Sequence, residues 1–116
     1  MASSQSYLDY VLDLLRDVND ITYKRMMGEF LLYSDGVLFG GIYDNRFLVK
    51  DTKSISHMGM QKEKPYDGAK EMFLIDSEDS LEIRDIVLKV VGDLSKKWKR
   101  FFNLFFSFLV IYISFL

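Results

Sequence analysis

The stretch Met26–Lys50, MMGEFLLYSDGVLFGGIYDNRFLVK, decides the fold. It is apolar at most positions, and two short polar signals interrupt it: Ser34-Asp35-Gly36 and Asp44-Asn45-Arg46. Asp, Asn and Gly tolerate the positive φ that a tight hairpin requires. The runs between them are rich in Val, Ile, Leu, Phe and Tyr, which suit a pleated, half-buried surface. The pattern predicts three antiparallel strands in a meander. In the first, Phe30 and Leu32 share one face, and Glu29, Leu31 and Tyr33 the other. In the second, Val37, Phe39, Gly41 and Tyr43 alternate with Leu38, Gly40 and Ile42, so both faces are apolar. A strand covered by helices on one side only does not need that. The second face is therefore expected to meet a loop, the tail or a partner.

Working outward, Tyr7, Leu8, Val11, Leu12, Leu14, Leu15 and Val18 recur at three- and four-residue spacing. They predict an amphipathic helix of about four turns, capped by Ser3 or Ser4 and ended by Asn19-Asp20. Ile21 to Met27 begins the sheet, with Gly28 marking a bulge or bend. Beyond the meander, 52–58 reads as a short helix capped by Asp51 or Thr52, and 59–68 as a loop holding the single proline, Pro65. Residues 69–75 read as a fourth strand. Leu81, Ile83, Ile86, Val87, Val90, Val91 and Leu94 then mark a closing helix capped by Asp79 or Ser80. The expected architecture is a two-layer α+β domain with an antiparallel sheet: helix, three-strand meander, short helix, one or two strands, helix.

At 116 residues the length suits one folded domain, spanning 1–95, followed by a basic and then aromatic segment over 96–116. There is no cysteine and one histidine, which removes disulfides, thiolate metal sites and thiol nucleophiles. A cytoplasmic setting is expected, since Met1–Ser6 is short and polar and unlike a secretory leader. Lys96, Lys97, Lys99 and Arg100 cluster without an acid. Removing these four from the 15 basic residues leaves 11 against 17 acids, a balance of about −6 for residues 1–95. Phosphate neutralisation needs a basic face, so direct nucleic-acid binding by this body is not expected.

Arg25-Met26-Met27-Gly28-Glu29-Phe30, Leu32-Tyr33, Gly36, Leu38-Phe39-Gly40, Ile42-Tyr43-Asp44 and Leu48-Val49-Lys50 resemble the N-terminal domain of the TfoX/Sxy family. Pro65-Tyr66-Asp67-Gly68-Ala69-Lys70 with Met72 continues the likeness, which runs from about Ser4 to Leu94. It implies a compact α+β domain in a bacterial, cytoplasmic protein. It also implies a regulatory role linked to natural competence and DNA uptake, without enzymatic chemistry. The likeness stops short of the helical C-terminal domain of full-length competence regulators.

The candidate interaction surface comprises Arg25, Glu29, Tyr33, Tyr43, Arg46 and Lys50. For the charged members the plainer account is a set of cross-strand ion pairs on an exposed face. Met26 and Met27 are read as core filling before adaptable contacts. Gly40-Gly41 is no phosphate loop, since no helix with a following Lys-Ser/Thr succeeds it. His57 has no nucleophile or carboxylate at a telling spacing. Asp76, Glu78 and Asp79 fit a capping turn better than a calcium loop. Tyr7, Tyr10, Tyr33 and Tyr43 lack the Lys/Arg surround of a base-stacking platform. No catalytic, cofactor-binding or metal-ligating residue is expected.

The function expected is a non-enzymatic regulatory domain that contacts a protein partner or a second copy of itself. The alternatives are a small-ligand or enzymatic module with a charged cleft near Arg25, Glu29, Arg46 and Lys50, and a tail-anchored membrane protein. The last rests on residues 101–116, which carry no charge and six of the ten phenylalanines. A helix of that length spans about 24 Å, short of the roughly 30 Å hydrocarbon core. Three accounts of 96–116 stand open: the product of a shifted reading frame, a membrane-associating segment, or a folded or oligomer-forming element.

Overall fold

The structure, a computed structural model, describes residues 2–95. The segment 96–116 lies outside the described residues, and with it the three accounts of the tail. Helix α1 spans Gln5–Leu14, and its N-cap Ser4 accepts a hydrogen bond from the Tyr7 amide. It is shorter than the apolar spacing predicts. Leu15 to Val18 continue as tight turns instead, through bonds such as Arg16 N–H to the Asp13 carbonyl and Val18 N–H to the Leu15 carbonyl. Leu15 and Val18 still reach the core, which is why they extend the helical pattern.

The sheet comprises β1 (Ile21–Met26), β2 (Glu29–Ser34), β3 (Val37–Tyr43), β4 (Arg46–Val49), β5 (Lys62–Glu63) and β6 (Met72–Leu74). All neighbours are antiparallel, in the order β1-β2-β3-β4-β6-β5. The expected meander is present as β2, β3 and β4. Its turns at Asp35-Gly36 and Asp44-Asn45 have positive φ at both central residues, the geometry that matches strand twist. Gly28 is no bulge: Met27 (φ 52°) and Gly28 (φ 83°) form a third turn of this kind, which separates β1 from β2. The expected short helix over 52–58 contracts to a 3₁₀ turn, Lys53–Ile55, and Thr52 makes no side-chain cap bond. The loop over 59–68 supplies the short strand β5, and the strand predicted over 69–75 keeps only β6. Helix α2 begins at residue 80 and runs to the limit of the described residues at 95. Asp79 caps it, its carboxylate accepting from the Leu81 amide.

Both helices cover one face of the sheet. Leu8, Val11 and Leu14 of α1 and Ile83, Ile86, Val87 and Val90 of α2 pack against Phe30, Leu32, Phe39, Ile42, Phe47 and Val49. Strict alternation along β3 does not hold, because Phe39 and Ile42 cannot then share a face. The register explains it: Leu32 pairs with Gly40 and Tyr33 with Leu38, so Phe39 is an extra residue in a β-bulge. Part of the double-sided apolar character of β3 is this bulge. The rest faces the other way, in a row formed by Leu31, Gly41, Leu48 and Leu74.

Candidate functional site

The face of the sheet that α1 and α2 leave open carries a cleft of about 840 Å³ at the end where the β1–β2 and β3–β4 turns lie. Its walls are Ala2, Met26, Met27 and Glu29 on one side, Tyr43, Asp44 and Arg46 on the floor, and Pro65, Tyr66 and Asp67 opposite. Tyr43 lies flat because Gly41 lets it: a β-carbon at Gly41 would stand 2.7 Å from Cε2 of the Tyr43 ring. Tyr66 meets Tyr43 with ring centroids 6.4 Å apart.

Arg46 holds the far wall in place. Its guanidinium donates to Glu63 Oε1 at 2.9 Å, to the Lys64 carbonyl at 3.1 Å and to the Pro65 carbonyl at 3.3 Å. A fourth bond goes to the Tyr43 carbonyl. The planar fork suits this multiple recognition, and it draws the 64–68 loop across the end of β4. Glu29 ties the near wall. Its Oε1 accepts from the Ser3 amide and hydroxyl, both at 2.8 Å, and its Oε2 accepts from the Asp44 amide at 2.6 Å. Asn45 reinforces the seam by accepting from the Ser4 amide and donating to Ser3 Oγ.

Of the six residues expected to form one surface, the cleft gathers Glu29, Tyr43 and Arg46. Tyr33 adjoins them and carries the Lys24 ammonium 5.7 Å above its ring. Lys50 lines a neighbouring cavity of about 450 Å³ that shares Tyr43, Pro65 and Tyr66 with the cleft. Arg25 is elsewhere: opposite Phe30 in the β1–β2 ladder, it belongs to the helix-packed face, with its guanidinium 5.4 Å from the Phe30 ring. Arg25 and Glu29 therefore do not pair, and the expected ion-pair grid reduces here to Arg46–Glu63.

Reading the sequence missed Met26, Met27, Tyr66 and Asp67 as site residues. Core filling by the two methionines is overturned: Met27 is 95% exposed and Met26 49%. The cause is the turn itself: a methionine held at φ 52° on a hairpin tip has no core within reach. Tyr66, 62% exposed, follows Pro65 in a turn closed by Ala69 N–H to the Tyr66 carbonyl.

The cleft sets two phenols and two thioethers beside four charged side chains. Glu29 and Arg46 are spent on architecture, and Asp44 and Asp67 are exposed. Burial pushes the Tyr43 phenol above its ordinary value, and Tyr66, Glu29 and Tyr33 add to the rise, so it stays a neutral donor at physiological pH. No group of three or more His, Cys, Asp or Glu among the described residues could hold a metal ion. No helix among them is long and apolar enough to cross a membrane.

No family model matches the chain. An uncharacterized 12.7 kDa protein in the trpE 5' region of Spirochaeta aurantia is 32% identical over 91 residues, covering 75% of this chain and 79% of that protein. The chain belongs to the same family as that protein. A match over three quarters of the chain necessarily takes in β3 to β6, and with them the floor and far wall of the cleft.

Proposed function

We propose that this chain is a non-enzymatic regulatory domain of the TfoX/Sxy N-terminal type, acting in the bacterial cytoplasm through protein contacts. One observation carries the reading. The cleft presents Met26, Met27 and Tyr66 to solvent, while Glu29 and Arg46 are bonded within the fold. Flexible thioethers beside rigid phenols make an adaptable contact surface, and the acidity of the body favours a protein over a nucleic acid as partner. The regulatory part rests on the family resemblance. The test is deletion of the gene in its own host, followed by transcript profiling and transformation assays. A defined set of transcripts is expected to change, to be restored by the wild-type chain, and not to be restored by a Met27→Asp, Tyr66→Asp variant. An unchanged transcript profile would sink the proposal.

The volume of the cleft, within the range of ligand pockets, favours a second reading as a small-ligand module. It requires a metabolite that raises the melting temperature of the wild type but not of Tyr43→Phe, Tyr66→Ala. Silence across a broad metabolite screen would remove it.

A further inference from the structure

The sheet ends on one side in a strand with an open edge. Strand β1 is the first in the sheet order, and residues 22–26 are all exposed. The Met27-Gly28 turn joins it to β2 through two residues, so Met26 and Glu29 form a hydrogen-bonded pair. By alternation Thr22, Lys24 and Met26 aim their amides and carbonyls at β2. Ile21, Tyr23 and Arg25 aim theirs away from the sheet. No backbone partner for those outward groups occurs among the described residues. The opposite edge is built otherwise: β5 is two residues long, and its Lys62 is ion-paired with Asp51 at 3.4 Å.

Charge singles out what β1 can accept. Lys24 and Arg25 stand side by side on a strand with no acid, and alternation sends them to opposite faces. Lys24 lies over Tyr33 and Arg25 over Phe30, with Gln5 Oε1 taking a bond from Arg25 Nη2. Neither cation forms an ion pair among the described residues. Edge lysines repel unselected strands, while an acid directly opposite each cation turns the same charges into attraction. A second copy of the chain does not supply those acids. Twofold pairing of β1 with itself, centred for instance on Tyr23, sets Arg25 against Ile21 and Lys24 against Thr22, and no register of Ile21–Met26 against itself brings an acid to either cation because the strand holds none.

We propose that β1 is a docking edge for an extended segment of a partner protein. The segment adds as a seventh strand and is selected by two adjacent acidic residues that fall opposite Lys24 and Arg25. This rests on the protein-contact reading above, but uses the edge and not the cleft.

The test uses the full chain and two synthetic eight-residue threonine–valine peptides, one with a central Asp-Glu pair and one with Lys-Lys. The acidic peptide is expected to bind about tenfold tighter. It should slow hydrogen exchange at the Tyr23 and Arg25 amides, leaving the already bonded Lys24 amide unchanged. Charge reversal by Lys24→Glu with Arg25→Glu should invert the preference. Tyr23→Pro removes an outward donor without touching the β1–β2 ladder; it should abolish binding while circular dichroism shows the fold intact. Equal affinity for both peptides, or no binding of the acidic one, overturns the proposal. So does protection of the Tyr23 amide that grows with protein concentration in the absence of peptide, because the occupant is then a second copy. Tyr66→Asp separates the two surfaces. Loss of regulation with edge binding retained implicates the cleft alone, and absent edge binding with cleft-dependent regulation intact removes this inference alone.

Discussion

A β-carbon built at Gly40 would lie 2.3 Å from the Leu48 carbonyl oxygen and 3.0 Å from Val49 Cα. Both obstacles are backbone and cannot swing aside. The bulge is the cause, since it turns Phe39 into the core beside Gly40. Gly40→Ala is therefore expected to cost about 3 kcal/mol or more in urea unfolding. A loss under about 1 kcal/mol would show that β3 and β4 can separate at that point. Tyr43 allows a second test at the scale of one residue. Its raised phenol means that, above the ordinary value of 10.0, the unfolded chain loses this proton before the folded chain does. The unfolded state then binds fewer protons, so stability falls as pH rises beyond that value. Tyr43→Phe is expected to flatten the alkaline decline between the ordinary and the raised value; a decline as steep as the wild type's would assign it to other groups. Tyr7, raised mainly by burial on the helix side, adds to the same trend and should sustain part of the slope.

Among the elements, the three two-residue turns differ in how well their sequences suit them. Asp35-Gly36 and Asp44-Asn45 carry residues that accept positive φ, and the strands beside them were legible from sequence. Met27-Gly28 has a side chain at its first position that pays a conformational penalty there, so the β1–β2 hairpin gave no turn signal and read as one strand with a bend. Met27→Asn should relieve that strain and raise stability by about 1 kcal/mol in thermal or urea unfolding. If the methionine is a contact residue, the same substitution should impair regulation in the complementation assay, the usual cost of optimising a functional position. Lower stability would instead mean that Met27 gains packing from the cleft wall. The β-bulge was illegible for a different reason: apolar residues on both parities of β3 hide the slip by one residue that a polar alternation exposes. The cleft was half legible. Tyr43, Glu29 and Arg46 declared themselves by type and position, but their bonding duties depend on Ser3, Glu63 and Pro65, which only the fold brings near.

At the scale of the whole molecule, the helical layer comes from the two ends of the described chain. The seam between them is held by Ser80 Oγ donating to Asp17 Oδ2 at 2.9 Å, and Ser80 is 7% exposed. Removing the acceptor with Asp17→Ala leaves a nearly buried hydroxyl unpaired, at an expected cost of about 1–3 kcal/mol. The meander has the opposite character. In β1–β4 no cross-strand pair is farther apart in sequence than Ile21 and Ser34. This difference sets an order of events in time. Hairpins closed by two-residue turns form in about 1–10 μs, but their apolar face has no cover until two distant segments find it together. The meander is then the nucleus of folding, and the helices dock onto it after the rate-limiting step. In stopped-flow refolding, strained turns such as Met27-Gly28 should govern how fast the protein folds, and the Asp17–Ser80 seam how long it stays folded. Asp17→Ala is accordingly expected to speed unfolding and leave the refolding rate nearly unchanged. Slowed refolding of that variant would place the helices, not the meander, at the start of assembly.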